Sequence, residues 1–142
     1  LLTRIGVVFQ DPEHQFVAAS VRAELGVGLR ALGRGAARVR DEVDALLERL
    51  HLDGVADANP FTLSGGEKRR LSVGTVLATG PALIVLDEPT FGQDRSTWTD
   101  LVRLVQSILD EGRTIVSVTH DEAYLRVLGE NLLPLGPAGE ES

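Results

Sequence analysis

Ala82-Leu83-Ile84-Val85-Leu86-Asp87-Glu88 is the stretch that decides the fold. Five apolar residues follow one another with no polar interruption, the pattern of a strand inside a parallel sheet, buried on both faces rather than alternating between core and water. The run stops on two adjacent carboxylates. Just upstream, Gly80-Pro81 ends a helix. Downstream, Trp98, Leu101, Val102, Val105, Ile108 and Leu109 fall on one helical stripe between about Asp94 and Glu111, with Gly112 placed as the C′ residue. Thr114 to Val118 is a second apolar strand, ending at Thr119-His120-Asp121, and a short helix reaches Leu128. Strands alternating with helices of this length specify an α/β protein built on a parallel sheet.

Toward the N-terminus, Arg4 to Phe9 reads as a third strand, short and buried, rich in β-branched and aromatic residues and closed by the polar turn Gln10-Asp11-Pro12. Ser20 to Leu32 is weakly helical because Gly26 and Gly28 interrupt it. Val39, Val43, Leu46, Leu47 and Leu50 mark one face of an amphipathic helix over Ala36 to Leu50. A polar connection follows over Asp53 to Thr62. Ser64 with Glu67 three residues on is a capping box that opens a helix to about Ala78. The helices between the first two strands form an inserted subdomain. Asn131 to Leu135 is a candidate last strand before a polar tail, Gly136 to Ser142. The expected division is 1–16 and 80–136 for the sheet domain, 17–79 for the helical insertion and 137–142 for the tail.

Composition removes several function classes. The 142 residues are 43% hydrophobic and 25% charged, in the range of a globular domain. There are 14 Lys and Arg against 21 Asp and Glu, a net charge of −7, which disfavours a surface that neutralises nucleic-acid phosphates. With no Cys, thiolate nucleophiles, disulfides and Cys-bound metal are out. The three His, at 14, 51 and 120, make no ligand pair on a helix. Neither a signal peptide nor a spanning segment is visible.

Ligands of open parallel sheets bind beyond the carboxyl ends of the strands. There the sequence places Gln10, the pair Asp87-Glu88, and His120. Each alone could be a plain loop start or helix cap. An amide, two carboxylates and an imidazole on one rim form a constellation suited to phosphoryl transfer: Mg²⁺ takes one or two carboxylates plus phosphate oxygens, which suits Asp87, and Glu88 can polarise a water. Ser64-Gly65-Gly66 adds a second site. Glycines at two successive helix-start positions each cost about 1 kcal/mol against Ala, a cost that makes sense where a ligand approaches backbone N–H groups at the positive end of the helix. Lys68, Arg69 and Arg70 either add positive charge to it or form a solvated helix face.

These segments, taken in order, resemble the motifs of ABC ATPases. Leu63-Ser64-Gly65-Gly66-Glu67-Lys68-Arg69-Arg70 is similar to the signature motif, Leu83 to Thr90 to the Walker B strand, Phe91-Gly92-Gln93-Asp94 to the D-loop, Val118-Thr119-His120-Asp121 to the switch histidine segment, and Val8-Phe9-Gln10-Asp11-Pro12 to the Q-loop. Within the family, Phe9 to Phe16 most resembles the ATPase subunits of energy-coupling-factor and cobalt-type importers.

The resemblance implies a P-loop NTPase (RecA-like) parallel sheet, present in part, with an inserted helical signature subdomain. It implies that Asp87 and Gln10 serve Mg²⁺, that Glu88 acts on the attacking water and that His120 contacts the γ-phosphate. It implies that Asp94 organises a dimer interface, and that Ser64, Gly65 and Gly66 close over an ATP held mainly by a second ATPase subunit. Gln10 and the apolar stretch Phe16 to Val21 would face an integral membrane subunit, at the cytoplasmic face of the cell membrane; packing into the helical core is the equal alternative for that stretch. No nucleic acid partner is implied. No Gly-x-x-x-x-Gly-Lys-[Ser/Thr] occurs in the chain, so the Walker A element, which precedes the Q-loop strand in the family, is expected before Leu1. The rival readings are a soluble ABC ATPase of DNA repair type and a regulatory or interaction module without catalysis. Pro89-Thr90 and the acidic balance weigh against the first, and joint retention of Gln10, Asp87, Glu88 and His120 against the second.

Overall fold

The computed structural model describes residues 5–129 and residue 131. Leu1 to Arg4, and all of the expected last strand and tail except Asn131, lie outside them. The three strands expected from the sequence form: β1 (Ile5–Val8), β2 (Leu83–Asp87) and β3 (Thr114–Val118). They make a parallel sheet in the order β1-β2-β3. Register pairs Val8 with Leu86 and Leu86 with Ser117, so the three carboxyl ends share one edge.

Five α-helices complete the fold: α1 (Val21–Ala31), α2 (Ala36–Arg49), α3 (Gly65–Ala78), α4 (Arg95–Asp110) and α5 (Glu122–Leu128). Short 3₁₀ turns at Pro12–Gln15, Asp53–Val55 and Pro60–Thr62 occupy the loops. α1 forms despite its two glycines because tertiary burial overrides propensity: Val21, Leu25 and Leu29 are fully buried against α2 and α3. Gly74 of α3 makes that contact possible. A Cβ there would lie 2.3 Å from Leu50 Cδ1 and 2.9 Å from Leu25 Cδ2. On its other side α3 rests on β1, where a Cβ at Gly6 would meet Val76 Cγ1 at 2.2 Å.

One expectation needs correction. β1 and β2 are expected to be buried, β2 on both faces, but only one face of each is closed: Val8, Ile84 and Leu86 are buried, whereas Ile5 and Val7 are exposed and Leu83 and Val85 partly so. The strands are pleated, so register puts Ile5, Leu83 and Thr114, then Val7, Val85 and Val116, on the same side. That side is uncovered among the described residues, with Ile5 45% and Val116 48% exposed. An apolar run reports strand and sheet type, while the covering of each face depends on what packs there.

Candidate functional site

The shared carboxyl edge gathers most of the expected residues. Asp87 is the last residue of β2 and pairs with Val118. The next residue, Glu88, leaves the strand at φ 44°, a left-handed conformation that costs a non-glycine residue on the order of 1 kcal/mol and tends to persist where the surroundings need it. Its N–H still donates to the Val118 carbonyl at 2.8 Å, anchoring the turn to β3. The Glu88 carboxylate then reaches His120: Oε1 stands 3.6 Å from the imidazole Nε2, and Oε2 accepts from the His120 N–H at 3.4 Å. The two carry opposite exposures, with the Glu88 side chain at 18% and that of His120 at 98%. The pair therefore joins a shielded carboxylate to a fully accessible imidazole.

Gln10 lies one strand over, past the end of β1, and lines a cavity of about 500 Å³ with Asp11, Gly65, Lys68, Arg69, Phe91 and Gln93. The cleft therefore joins the expected Q-loop, signature and D-loop segments. Its lining includes Arg69, for which the sequence leaves added charge and a solvated face both open. Arg69 is not part of a solvated face; it is 4% exposed and its Nη1 donates to the Phe9 carbonyl at 3.3 Å, next to Gln10. Burial pulls its guanidinium below the ordinary value, against the opposing negative charge of Asp11 and Asp87. Its Nε is buried without a partner. Arg70 also braces the fold, donating through Nε to the Leu50 carbonyl at 2.9 Å.

The signature helix opens as expected. Ser64 Oγ accepts from the Glu67 N–H at 3.3 Å and Glu67 Oε1 accepts from the Ser64 N–H at 3.0 Å, a complete capping box. The two glycines have different reasons to be there. A Cβ on Gly66 would come within 2.5 Å of Thr97 Cγ2, so α4 requires this one. Gly65 has nothing within 4 Å of a would-be Cβ, which leaves its backbone open to an approaching group. Asp94 caps α4, accepting from the Thr97 N–H at 2.8 Å and the Thr97 hydroxyl at 2.6 Å, and these bonds hold its carboxyl below the ordinary value.

Two buried polar residues, Glu24 and Ser72, give no local signal in the sequence. Glu24, buried in α1, accepts from the Val17 and Ala18 N–H groups at 3.0 and 2.7 Å. Ser72, fully buried in α3, donates to Gln15 Oε1 at 3.0 Å. With Arg69 they pin the segment after β1 to α1 and α3 at three points. Asp121 gathers donors from two other elements. Of the apolar stretch, Phe16 and Val21 are core, while Val17 is 78% exposed. Phe16 meets the exposed Phe61 edge to face, with centroids 6.1 Å apart.

The donor set at the rim fits Mg²⁺. Asp87 and the Gln10 amide supply hard oxygens in the small number that ion takes from protein when phosphates complete its shell. Among the described residues no group of three or more His, Asp or Glu gathers into an all-protein cage.

Comparison with known proteins agrees with this geometry. The sequence profile described as ABC transporter matches residues 1–91. The putative HMP/thiamine import ATP-binding protein YkoD of Bacillus subtilis is 40% identical over 139 residues, covering 98% of this chain and 25% of that protein. The energy-coupling factor transporter ATP-binding protein EcfA1 of Halalkalibacterium halodurans is 36% identical over 130 residues, covering 92% of this chain and 47% of that one. The structure of cbiO1 from Clostridium perfringens, described as part of the ABC transporter complex cbiONQ, superposes with a TM-score of 0.77 at 34% identity, over 84% of this chain and 48% of its own. The chain thus spans between about a fifth and about half of the curated relatives it matches. Its motifs, its parallel sheet and these likenesses agree: the chain belongs to the ABC transporter family, as part of its ATP-binding domain.

Proposed function

We propose that this chain forms part of the ATP-hydrolysing subunit of an ABC importer of the energy-coupling-factor or cobalt type, with residues 17–79 as its helical subdomain. The subunit works with a second ATPase subunit and an integral membrane subunit at the cytoplasmic face of the membrane. The observation that carries this reading is the Glu88–His120 pair at the end of the central strand, beside Asp87 and across from Gln10.

Each residue has a task in that reading. Asp87 and Gln10 hold Mg²⁺, which supplies charge neutralisation on the phosphates when bound. Glu88, shielded and turned by its left-handed backbone, orients the attacking water and takes up its proton. His120 offers an accessible imidazole to the γ-phosphate and is kept in line by Glu88. Ser64, Gly65 and Gly66 close over an ATP whose phosphates lie on the other subunit. The open backbone at Gly65 supports close approach, while Gly66 keeps α3 against α4. Asp94 organises the dimer interface by fixing the first turn of α4. Val17 and Phe61, exposed next to the segment pinned by Arg69, Ser72 and Glu24, offer the apolar contact for the membrane subunit. Among the described residues no helix is long and apolar enough to cross a membrane.

The test is steady-state hydrolysis by the native gene product that contains these residues. Glu88→Gln should lower kcat by about 10²-fold or more while ATP binding persists, the size seen when a single transition-state group is removed. Full activity in that variant would remove Glu88 from the reaction, whereas no hydrolysis by the wild-type product would favour a module without catalysis. The 142-residue chain alone, which has no Walker A element, should bind ATP only weakly; micromolar affinity by calorimetry would overturn that part.

A further inference from the structure

We propose that Asp121 is a positioning residue that ties the expected D-loop to His120, so that movement of the loop is passed to the imidazole. The proposal rests on the ATPase reading above. One oxygen of Asp121 carries the argument. Oδ2 accepts from the Thr90 hydroxyl at 2.7 Å and from the Trp98 indole Nε1–H at 2.6 Å. Thr90 immediately precedes the loop Phe91 to Asp94, and Trp98 lies in the first turn of the helix that follows it. A single carboxylate oxygen thus staples both ends of that loop.

The loop between the staples is built to receive contact. Phe91 is 62% exposed, Gly92 turns at φ 69°, and the Phe91 and Gln93 N–H groups donate back to the Glu88 and Thr90 carbonyls at 3.1 and 3.2 Å. On the other side, Asp121 Oδ1 caps α5 by accepting from the Tyr124 N–H at 3.0 Å, and the Asp121 N–H donates to Thr119 Oγ1 at 3.0 Å. Tyr124, 2% exposed, is anchored in turn to Ser117 of β3 through their hydroxyls, 2.7 Å apart. His120 sits between Thr119 and Asp121 with an almost fully exposed side chain, so packing does not place it. The backbone of 119–121 and the Glu88 carboxylate do. Glu88 is also the residue whose carbonyl receives Phe91, so the loop reaches His120 along two short paths.

An ionised carboxylate is needed because donors arrive at both oxygens, two at Oδ2 and the Tyr124 N–H at Oδ1, each bond strengthened by the charge. Asparagine cannot reproduce all the bonds. Whichever way its amide turns, an N–H₂ group faces either the Thr90 and Trp98 donors or the Tyr124 N–H.

The experiment uses the native gene product and its variants Asp121→Asn, Thr90→Val and Trp98→Phe. Asp121→Asn should lower kcat about tenfold with the KM for ATP within about twofold, the split expected when an interaction serves the transition state and not substrate binding. In a His120→Ala background the same change should have no further effect, since Asp121 acts through the imidazole. The indole N–H resonance of Trp98, assigned by its loss in Trp98→Phe, should shift in Asp121→Asn and in Thr90→Val. Wild-type kcat in Asp121→Asn, or an undiminished effect of that change in the His120→Ala background, would overturn the coupling. If the wild-type product hydrolyses no ATP, the ATPase reading fails by itself, and an indole resonance unmoved by either variant overturns the staple independently.

Discussion

The helices and the sheet of this chain are held in opposite ways. In α1, α2 and α3, Leu25, Leu29, Leu47 and Leu71 are buried to 2% exposure or less, and α3 carries a glycine where α1 and α2 come together. The sheet is closed on the side of Val8, Ile84 and Leu86 and open on the side of Ile5, Val7 and Val116. A parallel sheet is normally covered on both faces. Stability is therefore seated in the helices, and the proposed chemistry lies at the edge of a sheet whose second face is uncovered among the described residues. Asp87, by the alternation of the pleat, belongs to that open face together with Val85 and Leu83.

The comparison breaks if the helices do not dominate stability. Leu71→Ala should cost about 3 kcal/mol, in the range for a fully buried leucine, whereas Val116→Ala, half exposed, should cost well under about 1 kcal/mol. Denaturant unfolding of both variants measures the contrast, and equal losses would refute it. The open face makes a second claim. At raised concentration the 142-residue chain should self-associate through it, and Val7→Lys with Val116→Lys should relieve this with little loss of thermal stability. Sedimentation velocity showing a concentration-independent monomer for the unmodified chain would sink that claim.

The two glycines of the signature segment sharpen the contrast at a single helix end. Gly66→Ala pushes a Cβ against Thr97, whose hydroxyl is already engaged by Asp94, and should cost about 1–2 kcal/mol. Gly65→Ala meets open space and should be neutral or stabilising by up to about 1 kcal/mol, because Ala is the better helix former. If Gly65 faces a nucleotide on a second subunit, the same variant should lower ATP hydrolysis although the fold is untouched. A stable and fully active Gly65→Ala variant would remove Gly65 from the site.

How much of this was legible beforehand follows from what each signal depends on. The strands, α2, α3 and α4 could be read because their apolar periodicity and caps are local: Ser64 with Glu67, Gly112 after Glu111, and the run Leu83 to Leu86 each carry their own meaning. The rim residues Gln10, Asp87, Glu88 and His120 could be placed together because strand ends in a parallel sheet share an edge. The reverse holds for Arg69, which sits in a Lys-Arg-Arg run that reads either as charge at the site or as a solvated face. Its burial comes from α3 lying on β1, a tertiary fact with no local trace. Trp98 read as one more residue of an apolar stripe, and only the structure shows its indole N–H spent on Asp121. Asp121 itself looked like part of a motif because its donors come from residues 31 and 23 positions away.

Acid titration probes that last residue with the smallest expected effect. Burial pushes the Asp121 carboxyl up, but hydrogen bonds from Thr90, the Tyr124 N–H and Trp98 outweigh it and hold the group below its ordinary value. A carboxyl whose value is lower in the folded than in the unfolded chain contributes stability that is fully present above the unfolded value, about 3.9. That contribution is lost as pH falls from there through the folded value. Protonation puts a hydrogen on one of two oxygens that must both accept, so the Thr90, Trp98 and Tyr124 bonds can no longer all be kept. Asp94 titrates in the same direction through its Thr97 bonds, and Asp121→Asn isolates one group from the other. The variant should be less stable than the parent at neutral pH and approach it as the solution is acidified below about pH 4. Parallel stability curves across that range would show that the Asp121 charge does not hold the loop.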